Sequence, residues 1–399
     1  MIPRETFWKK DFILALFGFF FLFMSISLFF ILPLFLKRFG PSESRVGLIM
    51  GVHSLMAIFI RPFFGRAIDV RGRKTISLAG IGLLAAVVPL FSFVRDAGFF
   101  PLALRALTGL GWGVSMTATI TMCSDLAPVD KLAHSMGIIG VAGLLASALG
   151  PSLAEELVAR YGFQGLFLGS TGFLLAAFVC ILLTKEAGPR GPLESRGSVN
   201  PFRNLSILSI AFIALLPVFH GAVRSAVVYF VALFAQSIAV PRVGPFFAAF
   251  AGAAILTRLG MGDVSDRFGR KRVILPAAVI ISLNCLLLSS VRSSGLFVVS
   301  GFVGGFGQGL IFPALSAYII DTLGRENKGL ALSFYLSLFD VGMGLGSPFF
   351  GWVSDLYGYR RMYLLAGVFL FLFNLLFALK APSPDGPRIH RGPTSDNGS

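Results

Sequence analysis

The pattern Gly-x-x-x-Asp-x-x-Gly-Arg-Lys occurs twice in this chain, 197 residues apart. The first copy is Gly65, Asp69, Gly72, Arg73 and Lys74; the second is Gly262, Asp266, Gly269, Arg270 and Lys271. Each copy separates two long apolar runs. A repeat spaced at about half the length of a 399-residue apolar chain constrains the fold to two similar bundles joined in the middle.

The bundles belong in lipid. Hydrophobic residues make up 55% of the chain and charged residues only 13%, more apolar surface than a water-soluble domain can hide. The net charge of +15 does not indicate a nucleic-acid partner, because the basic residues cluster in short loops between apolar runs. Cys123, Cys180 and Cys285 fall within expected helices, an odd and widely spaced set that makes neither a disulfide framework nor a metal site. The run from Phe12 to Phe35 is too long for a signal-peptide core and is expected to stay as the first helix.

Crossing the hydrocarbon layer takes about 20 apolar residues. On that measure the chain divides into twelve expected spans: 12–35, 45–64, 75–94, 99–123, 131–154, 164–184, 204–235, 240–259, 273–291, 295–321, 330–353 and 361–380. The fold class is an all-α membrane protein of two pseudo-symmetric six-helix bundles, residues 1–184 and 204–380. The linker, 185–203, holds Gly188, Pro189, Gly191, Pro192 and Gly197, which break helices. The tail, 381–399, is rich in Pro, Gly and Ser and is expected to be disordered.

With the amino terminus placed inside, the inner segments carry 23 Lys and Arg and the outer loops 9. That asymmetry places both termini, the linker and both motif copies on the cytoplasmic side of a cell (inner) membrane. The halves also match outside the motif. Gly109 and Gly113 correspond to Gly305 and Gly309, Asp125 to Asp321, Pro151 to Pro348, and Tyr161-Gly162 to Tyr357-Gly358. A further echo, Gly351, Asp355, Gly358, Arg360 and Arg361, falls on the outer side, which suggests three-helix units used in opposite orientations.

The motif's glycines allow a tight turn and close helix approach, and its charges can pair with other charges or with helix ends. Asp125 and Asp321 end the fourth and tenth spans on the same side. Two clusters are expected to latch the cytoplasmic end across the gap between the bundles: Asp69–Arg73–Asp125 and Asp266–Arg270–Asp321. A simple basic loop that only sets topology is the plainer alternative. Gly305-Phe306-Gly307-Gln308-Gly309 is not a dinucleotide loop, since no strand precedes it; small residues at four-residue spacing let membrane helices pack closely.

The doubled motif, Arg105 within Leu102-Ala103-Leu104-Arg105-Ala106, and Gly150-Pro151 late in the fifth span resemble the major facilitator superfamily over about residues 10–380. The resemblance implies two six-helix bundles that rock about a central cavity in alternating access. It implies a proton-coupling role for Arg105, and it matches Gly150-Pro151 to the fifth-helix hinge of the antiporter signature. The nearest likeness is to bacterial drug and sugar efflux permeases, including the arabinose-efflux-like group.

Ionisable groups deep in a bilayer cost several kcal/mol and mark functional positions. His53, Arg105, His220, Arg224 and Asp340 all lie within spans. His220 and Arg224, four apart, share a helix face. Asp340 is the one deep carboxylate and the natural proton carrier, with His53, His220 or Arg224 as its expected partner. Arg224, His220 and Arg105 are expected to line the solute cavity; Asp340, Arg105 and His53 are expected to couple protons. Helix packing is the alternative role for each. Two Arg and up to two His against one Asp suit a neutral, zwitterionic or anionic solute better than a lipophilic cation. The expectation is therefore a monomeric transporter, not an enzyme, without metal or cofactor and energised by a proton gradient. Its partners are a small-molecule substrate, protons and membrane lipids. Export leads, with proton symport for uptake of a sugar or organic anion as the alternative.

Overall fold

The computed structural model describes residues 10–127, 132–186, 205–261, 264–324 and 328–381. The expected linker therefore lies almost wholly outside the described residues, and the tail does so beyond Ala381.

The first half comprises α1 (Lys10–Leu28), α2 (Leu32–Lys37), α3 (Glu43–Arg71), α4 (Arg73–Val87), α5 (Phe99–Leu126) and α6 (Leu132–Leu183). The second comprises α7 (Ile207–Ser237), α8 (Gly244–Met261), α9 (Val264–Phe268), α10 (Arg270–Ser290), α11 (Ser294–Leu323) and α12 (Lys328–Lys380). A 3-10 turn, Phe29–Ile31, joins α1 to α2 into one crossing. Nine helices among the described residues are long and apolar enough to cross a membrane. Two of them, α6 and α12, are 52 and 53 residues long and are broken at Gly162 (φ 66°) and Gly358 (φ 77°). Each therefore supplies two crossings. With α5, 28 residues long, the described helices are consistent with twelve crossings.

Glycine is required at both breaks, because a side chain is strained at positive φ. The paired residues Tyr161-Gly162 and Tyr357-Gly358 thus do the same work in each half. The motif glycines behave alike: Gly72 (φ 89°) separates α3 from α4, and Gly269 (φ 91°) separates α9 from α10. We call the end carrying these two turns the motif end and the opposite one, with Gly162 and Gly358, the distal end. α3 does not stop near residue 64 as expected but continues to Arg71, since its charged last turns need no burial in lipid.

In the first half α1 packs on α6, while α3 and α4 pack on α5; in the second α7 packs on α12, and α8 and α10 on α11. The halves meet chiefly where α3 faces α12 and α6 faces α8. Small residues set these distances. A Cβ at Gly109 or Gly113 would strike the backbone of α3 at His53 or Ala57, and one at Gly305 would strike the backbone of α8 at Phe250. The corresponding glycines of the two repeats therefore hold corresponding crossings. Gly305→Leu is expected to cost at least about 1–3 kcal/mol through overpacking. It should lower the melting temperature in detergent, whereas Gly252→Ala, with nothing within 4 Å of the added Cβ, should not. Large apolar side chains such as Phe59, Leu168 and Leu372 stay exposed around the periphery, where lipid covers them.

Candidate functional site

Between the halves lies a cavity of about 240 Å³. The first half lines it from α1, the 3-10 turn, α3, α5 and α6; the second lines it from α7 and α12. Its walls are largely aromatic and aliphatic, with Phe23, Phe29, Phe30, Trp112 and Tyr229 among them. Its ionisable lining includes His53, Arg105, Arg224 and Asp340, so the fold brings together four of the five residues singled out from the sequence.

Each cation is held by a different element. Arg105 on α5 is 2% exposed, stands 5.9 Å from the Phe29 ring centroid and donates from Nη2 to the Met50 carbonyl at 3.4 Å. Its Nε and Nη1 are buried and have no hydrogen-bond partner among the described residues. Arg224 on α7 lies over the Phe250 ring at 4.3 Å from its centroid. Such stacking offsets part of the cost of burying a guanidinium while leaving its edge donors free to meet an acceptor. His53 on α3 reaches Thr108 Oγ1 from Nδ1 at 3.3 Å, and Thr108 donates its only hydroxyl hydrogen to the Arg105 carbonyl at 2.9 Å. The Thr108 oxygen therefore accepts from His53 Nδ1–H, which fixes the tautomer.

Two expectations need correction. Asp340 pairs with none of His53, His220 and Arg224. Its carboxylate meets Arg61 Nη2 at 2.7 Å, a bridge from α12 in one half to α3 in the other. By hydropathy Arg61 falls at the very end of the expected span 45–64. The continuous α3 instead places it ten residues before the helix end, about 15 Å along the axis, from where it reaches α12.

His220 does not line the central cavity. Its Nδ1 donates to the Leu216 carbonyl one turn back at 2.8 Å. The ring sits in a separate pocket of about 10 Å³ with Asn284, Gln308 and the back of Arg224. A shared helix face with Arg224 was legible, but not the rotation that turns His220 into its own half. Its Nε2 has no partner among the described residues.

Two pairs of the expected latch clusters form. Arg73 Nε meets Asp125 Oδ2 at 2.8 Å, and Arg270 Nε meets Asp321 Oδ2 at 3.1 Å. These pairs repeat in register, yet each ties two helices of one half, α4 to α5 and α10 to α11. They brace the turns of the bundles, as two members of each expected cluster. Lys74 N–H reaches Glu186 Oε1 at 3.3 Å and Lys271 Nζ the Ala381 carbonyl at 2.6 Å, again within one half. The side chains of Asp69 and Asp266, and the position Gly262, lie outside the described residues, while Gly65 falls within α3. Gly150 packs α6 against Ser27 of α1, and Pro151 follows it within the helix.

Tyr229 and Ser54 were not foreseen from the sequence, yet their hydroxyls lie 3.4 Å apart across the halves on the cavity wall. A lone Tyr inside an apolar helix gave no signal of its own.

A two-half helical molecule around one aromatic, cationic cavity agrees with the family comparison. The model of the Major Facilitator Superfamily matches residues 14–241 and again 213–396. The chain belongs to the Major Facilitator Superfamily. It is thus a multi-pass membrane transporter, not an enzyme. Among its relatives, the multidrug resistance protein MdtG of Citrobacter koseri is 25% identical over 380 residues, covering 91% of this chain and 93% of that protein. Its fold is shared with solved structures. A mutant form of the nucleoside transporter NupG superposes with a TM-score of 0.80 at 14% identity, covering 93% of this chain and 99% of that one. The human organic anion transporter MFSD10 superposes with a TM-score of 0.66 at 18% identity, covering 92% and 99%.

Proposed function

We propose that the protein is a proton-coupled secondary transporter that exports a small neutral, zwitterionic or anionic solute, amphiphilic in character, by alternating access. The observation that carries the solute class is the charge of the cavity. Two guanidiniums, Arg105 and Arg224, face it, while the carboxylate of Asp340 is already engaged by Arg61. An acceptor-bearing headgroup satisfies the buried donors of Arg105, and the phenylalanines and Trp112 receive an apolar body. The name of the MdtG relatives favours export. With no free acid among the described lining residues, the cavity is poorly suited to lipophilic cations.

Coupling is assigned to Asp340. Deprotonated, it holds Arg61 and so joins α12 to α3; protonated, it releases that arm. A proton and a solute then act on one bridge between the halves. Arg105 and His53, joined through Thr108, stand next to this route. We assign no metal or cofactor to the cycle, only the proton gradient, and we take the unit to be a monomer made of the halves 1–184 and 204–380. A screen of metabolites and drugs by thermal shift identifies the solute; flux in proteoliposomes under an imposed pH gradient then tests the reading. Gradient-driven movement with the sign of symport would favour uptake of a sugar or organic anion instead.

The motif end is assigned to the cytoplasm of an inner membrane, on the 23-to-9 excess of Lys and Arg. Reporter fusions inserted at Gly188 and placed after Ala381 should both score as cytoplasmic. A periplasmic signal from either would overturn the orientation.

A further inference from the structure

At the distal end each half fastens the other in the same way. Asp355, at the distal end of the first crossing of α12, accepts from the backbone N–H of Glu43 at 2.6 Å and of Ser44 at 2.8 Å. These are the first two residues of α3, in the opposite half. Glu155, at the distal part of the first crossing of α6, accepts from the backbone N–H of Val243 at 2.5 Å and of Gly244 at 3.0 Å. Gly244 is the first residue of α8 and Val243 precedes it, again in the opposite half. Each carboxylate uses both oxygens on two consecutive amides. The two acids do not occupy matching repeat positions, since the repeat sets Glu155 opposite Gly351 or Trp352, but the same kind of contact is made in both directions.

The chemistry suits the task. The first amides of a helix have no intrahelical acceptor, and the helix dipole favours an anion there. Ser42 caps the third amide of α3, at Arg45, and leaves the first two to Asp355. Around these contacts the backbones touch. A Cβ on Gly47 would strike the Ser347 carbonyl, one on Gly351 the Glu43 carbonyl, and one on Gly244 the side chain of Ser152. Ser347 Oγ also donates to the Gly47 carbonyl at 2.7 Å. Both lines of contact between the halves, α3 with α12 and α6 with α8, are therefore drawn tight at the distal end.

We propose that Glu155 and Asp355 are the gate residues of the distal end. Each closes the cavity by capping a helix of the other half, and both caps must open for the cavity to face the distal side. Asp355 belongs to the third echo of the repeated motif, with Gly351 and Gly358, and this gives that echo its function. The inference rests on the alternating-access reading above, but not on the solute or on the proton.

The gate is tested by distance measurement between nitroxides on Arg38→Cys and Arg361→Cys, in a chain with Cys123, Cys180 and Cys285 changed to Ala. Both labelled positions are exposed at the distal end, one in each half. Glu155→Gln with Asp355→Asn keeps side-chain volume but turns one acceptor of each pair into an N–H donor facing an amide. The expected result is a longer-distance population markedly larger than the parent chain's. Glu43→Pro approaches the same contact from the donor side, because proline is well tolerated at the first helical position and removes the amide that Asp355 accepts from. It should lengthen the distance too. Glu156→Gln is the control, since Glu156 pairs with Arg160 on its own helix and should leave the distribution unchanged. Folded variants of both kinds with the parent's distribution would overturn the gate. Unshifted distances with intact gradient-driven flux would sink the gate alone; shifted distances without such flux would keep the gate and sink the coupling reading.

Discussion

Asp340→Asn is expected to retain counterflow exchange of the solute and to lose accumulation driven by a pH gradient. Asparagine has the size of protonated aspartate and still accepts one hydrogen bond from Arg61, but it cannot exchange a proton. Counterflow needs only that the loaded cavity alternate; accumulation needs the bridge between α3 and α12 to be made and broken by protonation. Arg61 and Asp340 are 23% and 22% exposed at their side chains, so the pair is screened in part. Removing one partner of a well-buried pair costs about 3–5 kcal/mol, and a smaller penalty applies here. The variant should therefore fold. Arg61→Gln should reproduce the coupling defect from the other side, because it deprives the ionised carboxylate of its cation. Measured in the same proteoliposomes, gradient-driven flux that survives in Asp340→Asn would move coupling to Arg105 or to Asp125 and Asp321.

Arg224→Ala is expected to weaken solute binding on the order of 10- to 100-fold, the equivalent of one or two charge-assisted hydrogen bonds. The stacking on Phe250 also goes, yet the ring keeps its packing against Phe246, so folding should suffer less than affinity. Lysine at this position should restore charge but not the planar stacking, and should recover only part of the affinity. Binding by the solute found in the thermal-shift screen, titrated calorimetrically against both variants, decides the matter. Parent affinity in Arg224→Ala would make this arginine structural and remove the argument for an anionic or zwitterionic solute.

What was legible in the sequence was what repetition and periodicity encode. Gly72 with Gly269, Gly162 with Gly358, and Gly109 with Gly305 could be matched because a backbone that turns at positive φ, or touches another backbone, admits almost nothing but glycine. The Arg73–Asp125 and Arg270–Asp321 pairs were legible for the same reason: both partners recur at nearly the same offset. Pairing across the halves was not. Asp340 and Arg61 are 279 positions apart and have no counterpart pair in the repeat, so nothing in the sequence joins them. Arg61 fell only three residues before the end of the expected span 45–64, because hydropathy falls toward the motif before the helix ends. Glu155 and Asp355 bind backbone amides, which every residue but proline carries, so their targets leave no side-chain signature. His220 was placed on the correct helix face but with the wrong neighbours, because spacing fixes which residues share a face and not which bundle that face meets.

The central claim is that protons and solute move in opposite directions through one cavity. It is tested most directly by solute accumulation in proteoliposomes of the parent protein under pH gradients of both signs. Antiport predicts accumulation when the lumen is acid, whichever way the protein is inserted, and its collapse when the gradient is dissipated by a protonophore. Accumulation with an alkaline lumen, or flux that ignores the gradient, would contradict it.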